Sequence, residues 1–295
     1  MSELIGVDVG GTAIKLGRFS NGGELLAELE CPTPQPAMPG GVVTAIVDAV
    51  AALDPNRRAS RVGIGLPGPM DAAARVARVC INLPGWQQVP LAEWLEPQLG
   101  RRVTLANDGN CALMGEAWRG AAVGYRDVLL LTLGTGVGGG VLLNGQLFTG
   151  QGGAAAEPGL ISVNPDGPAC NSGNRGSLEQ YCSIAGLRRL LDQDPQTLDR
   201  LARAGDLQAL EAWREYGRWL GVGLSSLIYV LTPQLVLIGG GLSAASAHFL
   251  PHALAEVEQR VQAVSRLGLE MRCAALGNGA GRLGAARLAL ERLND

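Results

Sequence analysis

The sequence predicts an α/β fold of two lobes, and three features carry that expectation: chain length, an alternation of helical and strand patterns, and a strand–glycine–strand hairpin that occurs twice. At 295 residues the chain exceeds one typical domain of about 100 to 200 residues. It is long enough to bury two cores.

The first hairpin opens the chain. Residues 4 to 9 ("LIGVDV") and 13 to 19 ("AIKLGRF") read as strands around the turn "GGT", and 24 to 30 ("ELLAELE") as a third strand. The Pro-rich "CPTPQPAMPGG" is a loop, after which "VVTAIVDAVAAL" has helical periodicity and "RVGIGLPG" reads as a buried strand. Helix "PLAEWLEPQLG", strand "RVTLAND" and helix "NCALMGEAWRGA" follow. The second hairpin is "DVLLLTLGTGVGGGVLLNGQLF", so a second, longer lobe is expected to begin near residue 110. Its later part is helical through "DLQALEAWREYGRWLGVGLSSLIYVL", then strand "QLVLIGGG" and the closing helix "GRLGAARLALERL".

Composition excludes several functions. A net charge of -3 without a basic block gives no electrostatic footprint for nucleic acid. No apolar run approaches the ~18 residues a membrane span needs, and the N-terminus lacks a secretory pattern, so a cytoplasmic protein is expected. The six cysteines form no CxxC pair and read as small core residues of a reducing compartment. His248 and His252 stand at i, i+4 in "HFLPH", but Pro251 interrupts the segment, and they read as a surface pair.

Two glycine loops can carry chemistry: "DVGGT" (Asp8 to Thr12) and "GTGVGGG" (Gly134 to Gly140). Glycines at a strand turn let backbone N–H groups approach an anion, and threonine hydroxyls add donors. Read singly, each loop fits a tight hairpin as well as an anion cradle. "GTGVGG" satisfies GxGxxG but leads into a strand instead of a helix, which excludes a dinucleotide fold; no GxxxxGK[ST] is present. A third cluster, Gly239 to Gly241, ends a buried strand, where a nucleobase or ribose could lie.

Taken together and in order, "GVDVGGTAIKLG", "GIGLPGPMD", "INLPGW", "ANDGNCALMGEAW", "LTLGTGVGGGVLLNGQLF", "EPGL", "NPDGPACNSGNRGSLEQY" and "PQLVLIGGGLS" resemble the ROK family of bacterial sugar kinases, most of all its glucokinases. The resemblance covers nearly the whole chain. It implies an actin-like fold of the sugar kinase/hsp70, ribonuclease H-like type, with an active-site cleft between lobes. The lobes implied are residues 1–109, joined by a C-terminal helix at about 280–295, and 110–279. The implied activity is transfer of a phosphoryl group from ATP to the 6-hydroxyl of glucose.

The resemblance also assigns roles. Asp8, Gly10, Gly11, Thr12 and Lys15 belong to the nucleotide side, with Asp8 holding Mg²⁺ through water. Gly134, Thr135, Gly136, Gly138 and Gly139 form a second phosphate clamp, and Gly239, Gly240 and Gly241 lie near adenosine. On the sugar side stand Gly65, Asn82, Asn107, Asp108, Glu157 and Glu179. Asp108 is the expected catalytic residue, because transfer to a hydroxyl needs an acceptor for its proton in line with the phosphate. Asn107 and Asp108 also suit a helix N-cap. A homodimer is implied as well.

The segment "EPGLISVNPDGPACNSGNRGSLEQY" departs from the family's pattern. Zinc-bearing members hold one structural zinc with a His and three Cys, and the same His reaches the sugar; here those positions are Leu160, Cys170, Ser172 and Ser177. Serine hydroxyls are poor zinc ligands, so no zinc is expected. Prolines 158, 165 and 168, glycine turns, and backbone bonds from Ser172 and Ser177 are expected to hold the loop. Leu160 leaves the choice of hexose open among glucose, N-acetylmannosamine, mannose and fructose. A sugar-responsive DNA-binding regulator is disfavoured, since strand one starts by residue 4 with no basic recognition helix before it.

Overall fold

The computed structural model describes residues 3–80 and 83–291. In chain order it contains β1 (Glu3–Val9), β2 (Ala13–Phe19), β3 (Leu25–Pro32), α1 (Pro39–Leu53), β4 (Ala59–Leu66), β5 (Ala77–Val79), β6 (Gln87–Val89), α2 (Leu91–Leu99), β7 (Arg102–Asn107) and α3 (Asp108–Arg119). There follow β8 (Val128–Leu133), β9 (Val137–Leu143), β10 (Gln146–Leu147), α4 (Leu178–Cys182), α5 (Ile184–Leu190), α6 (Pro195–Arg203), α7 (Leu207–Leu231), β11 (Leu235–Gly239), α8 (Ser246–Arg260), β12 (Glu270–Cys273) and α9 (Ala280–Glu291).

The chain forms two compact units. The first comprises Met1–Gly124, Gln146–Ala156 and Ala275–Asp295; the second comprises Tyr125–Gly145 and Glu157–Ala274. The first division falls after Gly124, not near residue 110 as the hairpin pattern alone implies. The cause is α3, which packs along α9 and stays with the first unit.

In the first unit the sheet order is β3-β2-β1-β4-β7, antiparallel across β3-β2-β1 and parallel across β1-β4-β7. Strand alternation sorts its two faces. Ile5, Val7 and Val9 of β1, Val62, Ile64 and Leu66 of β4, and Val103 and Leu105 of β7 join Ile46 of α1 and Leu95 of α2 in one core. The opposite face carries Leu4, Gly6 and Asp8 on β1 with Gly63 and Gly65 on β4, and α9 covers it.

Here α9 lies backbone to backbone on the sheet. A Cβ on Gly6 would strike the carbonyl of Arg282, one on Gly63 that of Ala285, and one on Gly284 that of Cys111 in α3. Fully buried Glu116 fixes the approach to α9: its carboxylate accepts the N–H of Ala275 at 2.9 Å, Leu276 at 2.7 Å and Ala121 at 2.7 Å. Its lone pairs are well satisfied.

In the second unit the strands run β9-β8-β11-β12, with β8-β9 antiparallel and β8-β11-β12 parallel. The long α7 starts at Asp206, whose carboxylate accepts the N–H of Ala209, and ends at Thr232 in the left-handed region, φ 41°. Gly217 and Gly221 let α8 approach, and Trp213, Tyr216 and Phe249 form a buried aromatic cluster between the helices.

The reading of "HFLPH" needs correction. Helix α8 runs straight through Pro251, whose place in the second turn removes only one backbone bond. His252 is exposed, but His248 is largely covered, with Nε2 2.9 Å from the Asp199 carboxylate and its ring beside Trp213. All six cysteines are free. No described helix is long and apolar enough to cross a membrane.

The close seat of α9 yields a test. Gly63→Ala forces a methyl into the Ala285 carbonyl, where only backbone movement can relieve it. Overpacking of this kind destabilises by about 1–3 kcal/mol, so the thermal midpoint should fall clearly below the parent's. An unchanged midpoint would contradict the backbone contact.

Candidate active site

The first unit collects Asp8, Gly10, Gly11, Thr12, Lys15, Gly65, Asn107 and Asp108. Asp8 ends β1, paired with Lys15 on β2 and Gly65 on β4, and Leu66 of β4 is paired with Asn107 at the end of β7. These are the carboxyl ends of parallel strands, the usual location of ligand sites in such sheets. Asn82 lies outside the described residues.

Capping falls to Asn107, not Asp108. The Asn107 Oδ1 accepts the N–H of Asn110 at 3.1 Å, and its Nδ2 donates to the Gly68 carbonyl at 3.3 Å. Asp108 therefore begins α3 with a carboxylate that takes the N–H of Gly109 at 2.8 Å and is not used as the cap.

The charge of Asp108 acts on Asp8. Desolvation first and the Asp108 charge second raise the Asp8 carboxyl from 3.8 to about 6, against the pull of Lys15 and Arg282. Desolvation also raises the Asp108 carboxyl, although the residue is exposed, and the N–H of Gly109 opposes it. Beside them Cys111 is fully buried, its thiol pushed well above the usual range by burial and by both carboxylates. The first turn of α9 reaches this corner, since a Cβ on Gly281 would stand 2.8 Å from Asp8 Oδ2. Neither Cys111 nor Gly281 carries a local motif, which is why sequence reasoning passed over them.

The turn at Gly10 to Thr12 is held by its carbonyls. Thr33 Oγ1 donates to Gly10 O at 2.7 Å, Gln35 Nε2 to Gly11 O at 2.9 Å, and Thr33 N to Thr12 O at 3.0 Å. No described protein acceptor takes the N–H of Gly11 or Thr12, and a Cβ on Gly11 would meet open space. Pinned carbonyls and free N–H groups are the arrangement that receives an anion.

The second unit repeats this arrangement. Between β8 and β9, Ile184 N donates to Gly134 O at 2.8 Å and Gly134 N to Gly136 O at 3.0 Å, while the N–H groups of Thr135 and Gly136 have no described acceptor. Glu179 braces the loop: its Oε2 accepts the N–H of Val137 at 3.0 Å. Packing explains several of the glycines here, because a side chain would strike Glu179 at Gly136, Thr132 at Gly138, and the Leu130 carbonyl at Gly139. Gly134 borders open space. Gly240, at φ 80°, sits against the backbone of Leu133, so Gly239 to Gly241 adjoin the same loop.

Glu157 precedes a single 3-10 turn, Pro158–Leu160, and accepts the N–H of Leu160 on its carbonyl at 3.1 Å. The segment beyond is tied by its own backbone. Val163 N donates to Gly176 O at 2.8 Å, Leu178 N to Ile161 O at 2.9 Å, and Asn174 Nδ2 to Leu160 O at 2.9 Å. Ser172 does bond a backbone group, accepting Asn174 N at 3.4 Å, and also donates to Cys170 Sγ at 3.3 Å. Ser177 does not: its buried hydroxyl has no hydrogen-bond partner among the described residues. Burial raises the Cys170 thiol, but hydrogen bonding, from Ser172 first, outweighs it and leaves the thiol below its ordinary value. Among the described residues no three His, Cys, Asp or Glu are placed to share a metal ion.

The Asp8–Asp108 pair fits a hard divalent cation bound partly through water, since such ions take carboxylate oxygens and retain part of their hydration. A like charge nearby raises a carboxylate's proton affinity, and at Asp8 the pull of Lys15 and Arg282 does not cancel that rise. Because the fold raises the Asp8 carboxyl above its unfolded value, this group's stabilisation is complete below about pH 4 and is lost as pH rises through about 6. In metal-free buffer, Asp8→Asn should therefore unfold at a higher temperature than the parent near pH 7.5, by about 2–3 kcal/mol in stability. The gap should close towards pH 4. A variant less stable at pH 7.5, or a gap independent of pH, would contradict the assignment.

The chain is similar over nearly its whole length to known proteins. The model of the ROK family matches residues 4–292. Glucokinase from Thermotoga maritima is 34% identical over 311 residues, covering 99% of this chain and 98% of that protein. A ROK hexokinase from Thermus thermophilus superposes with a TM-score of 0.87 at 35% identity, covering 99% of each chain. A ROK family glucokinase from Streptomyces griseus, in complex with glucose and AMPPNP, gives a TM-score of 0.86 at 33% identity, covering 98% of this chain and 100% of the other. The expected two-lobed, actin-like α/β class is the fold of this chain, and the chain belongs to the ROK family.

Proposed function

We propose that the chain is an ATP-dependent kinase that phosphorylates the 6-hydroxyl of glucose. The observation that carries this reading is Asp108: a solvent-accessible carboxylate at the start of α3, relieved of capping by Asn107 and close enough to Asp8 to act on its charge. The family relatives named glucokinase support the choice of substrate.

Phosphoryl transfer needs positioning and charge stabilisation more than covalent chemistry. As the sugar oxygen bonds to the γ-phosphorus and the bond to the β,γ-bridging oxygen breaks, the hydroxyl proton passes to the Asp108 carboxylate. Partial loss of hydration raises its proton affinity, which suits a general base. The N–H groups of Gly11 and Thr12 in the first unit, and of Thr135 and Gly136 in the second, would take phosphate oxygens. Asp8 would hold Mg²⁺ through water, and the ion when bound offsets charge on the phosphates. Gly239 to Gly241 would face adenosine.

On the sugar side, Gly65 leaves room where Cys111 Sγ would stand 3.1 Å from a Cβ. Asn82, Asn107, Glu157 and Glu179 would bond hydroxyls; Glu179 uses Oε2 for Val137 and keeps Oε1 for sugar. Leu160 supplies no hydrogen bond, so glucose recognition rests on these groups. The reading also assigns a homodimer working in the cytoplasm.

Release of ADP with Mg-ATP should be strong with glucose and weaker with mannose, fructose or N-acetylmannosamine. Asp108→Asn should lower kcat by about 10²- to 10⁴-fold without loss of folding. A folded parent that releases no ADP in response to any of these sugars would refute the proposal. Preference for another of them would move the substrate and leave the reaction class intact.

A further inference from the structure

The second glycine loop sets opposite charges side by side. Its free N–H groups, on Thr135 and Gly136, suit an anion, yet the next N–H along the chain, that of Val137, is held at 3.0 Å by a carboxylate oxygen, Oε2 of Glu179. The same oxygen would stand 2.4 Å from a Cβ on Gly136, so the carboxylate lies in the turn itself. A neutral acceptor would brace Val137 as well. A carboxylate there opposes the anion that the neighbouring N–H groups would receive. The turn's shape is fixed from other directions. Gly159, two residues after Glu157, abuts the Val137 carbonyl, which a Cβ would strike at 1.9 Å, Pro158 lies against Gly139, and Ile184 N holds Gly134 O at 2.8 Å. A ligand on Glu179 can therefore change the turn's charge more readily than its shape.

We propose that Glu179 is a charge gate: its carboxylate weakens the hold of the Gly134–Val137 turn on nucleotide phosphates until hexose hydroxyls donate to Oε1, so that hexose and nucleotide bind with positive coupling. This rests on the kinase reading and adds to it a control of the phosphoryl donor by the acceptor. The cause is the sharing of one charge by two oxygens. Hydroxyl donors at Oε1 draw that charge away from Oε2 and from the turn, and the repulsion felt by a phosphate there falls. Coupling of this kind is reciprocal, so nucleotide must tighten the hexose by the same factor. Glu179 thus acts on the donor through the loop, as a positioning residue. The phosphates are held firmly when an acceptor hydroxyl is present to receive one.

Calorimetry with Mg-AMPPNP tests the gate, because this analogue reports nucleotide binding without transfer. Saturating glucose should tighten its binding to the parent protein by about five- to tenfold. Glu179→Gln keeps the length of the side chain and an oxygen for the Val137 N–H but removes the charge. In that variant AMPPNP without glucose should bind as tightly as it binds the glucose-loaded parent, and glucose should add nothing further. The sign separates a gate from a brace: were Glu179 only a support for the loop, the variant would bind AMPPNP no better than the parent does without sugar. A parent whose affinity for AMPPNP is indifferent to glucose, or a folded Glu179→Gln that gains no affinity in the absence of sugar, overturns the proposal. The parent's titration needs no variant and decides the first outcome alone. Glucose-dependent tightening in a parent that forms no sugar phosphate would keep the gate and remove the kinase reading. Sugar phosphorylation without such tightening would do the reverse.

Discussion

The first unit's site depends on how closely α9 lies on β1 and β4. Ordinary helix-on-sheet packing keeps side chains between the two layers, yet here Gly6, Gly63 and Gly284 bring carbonyl groups against bare backbone. Glu116 secures the same arrangement from α3 by taking two N–H groups just before the helix. The consequence reaches the end of β1. With Gly281 against its carboxylate, Asp8 is partly withdrawn from water and placed where the Asp108 charge raises its proton affinity further. A group in that condition binds a proton or a cation readily.

The two glycine turns follow one physical rule despite different partners. In each, the carbonyl oxygens are occupied, by Thr33 and Gln35 in the first unit and by Ile184 and the loop itself in the second. The N–H groups are left over. A backbone fixed in this way presents partial positive charge at fixed positions, and an anion then needs little reorganisation of the protein. Glu179, proposed above for the sugar, also belongs to the second turn, because one carboxylate oxygen carries Val137. Its replacement would disturb loop and substrate together.

Much of this was legible in the sequence. Strand alternation, the two hairpins and the buried strands ending in glycine gave the α/β class, because each is a local pattern with a period. The eight ordered segments gave the family. What was not legible lies in contacts between distant residues. Gly6 and Gly63 are ordinary strand residues until α9 is placed on them, and Glu116 looks like a surface position of an amphipathic helix. The first unit's extent was misjudged because α3 follows β7 in sequence with nothing to show that it pairs with a helix some 160 positions later. His248 was taken for a surface residue because Asp199, its partner, lies on a different helix. Ser177 was expected to bond the backbone, but its hydroxyl is buried with no hydrogen-bond partner among the described residues.

The central claim, that these residues transfer a phosphoryl group from ATP to carbon 6 of glucose, is tested most directly by product structure. Uniformly ¹³C-labelled glucose incubated with the protein and Mg-ATP should give a phosphomonoester whose ³¹P signal is coupled to carbon 6, with one ADP formed per ester. Coupling to another carbon, or ATP consumed to free phosphate with glucose unchanged, would contradict the account.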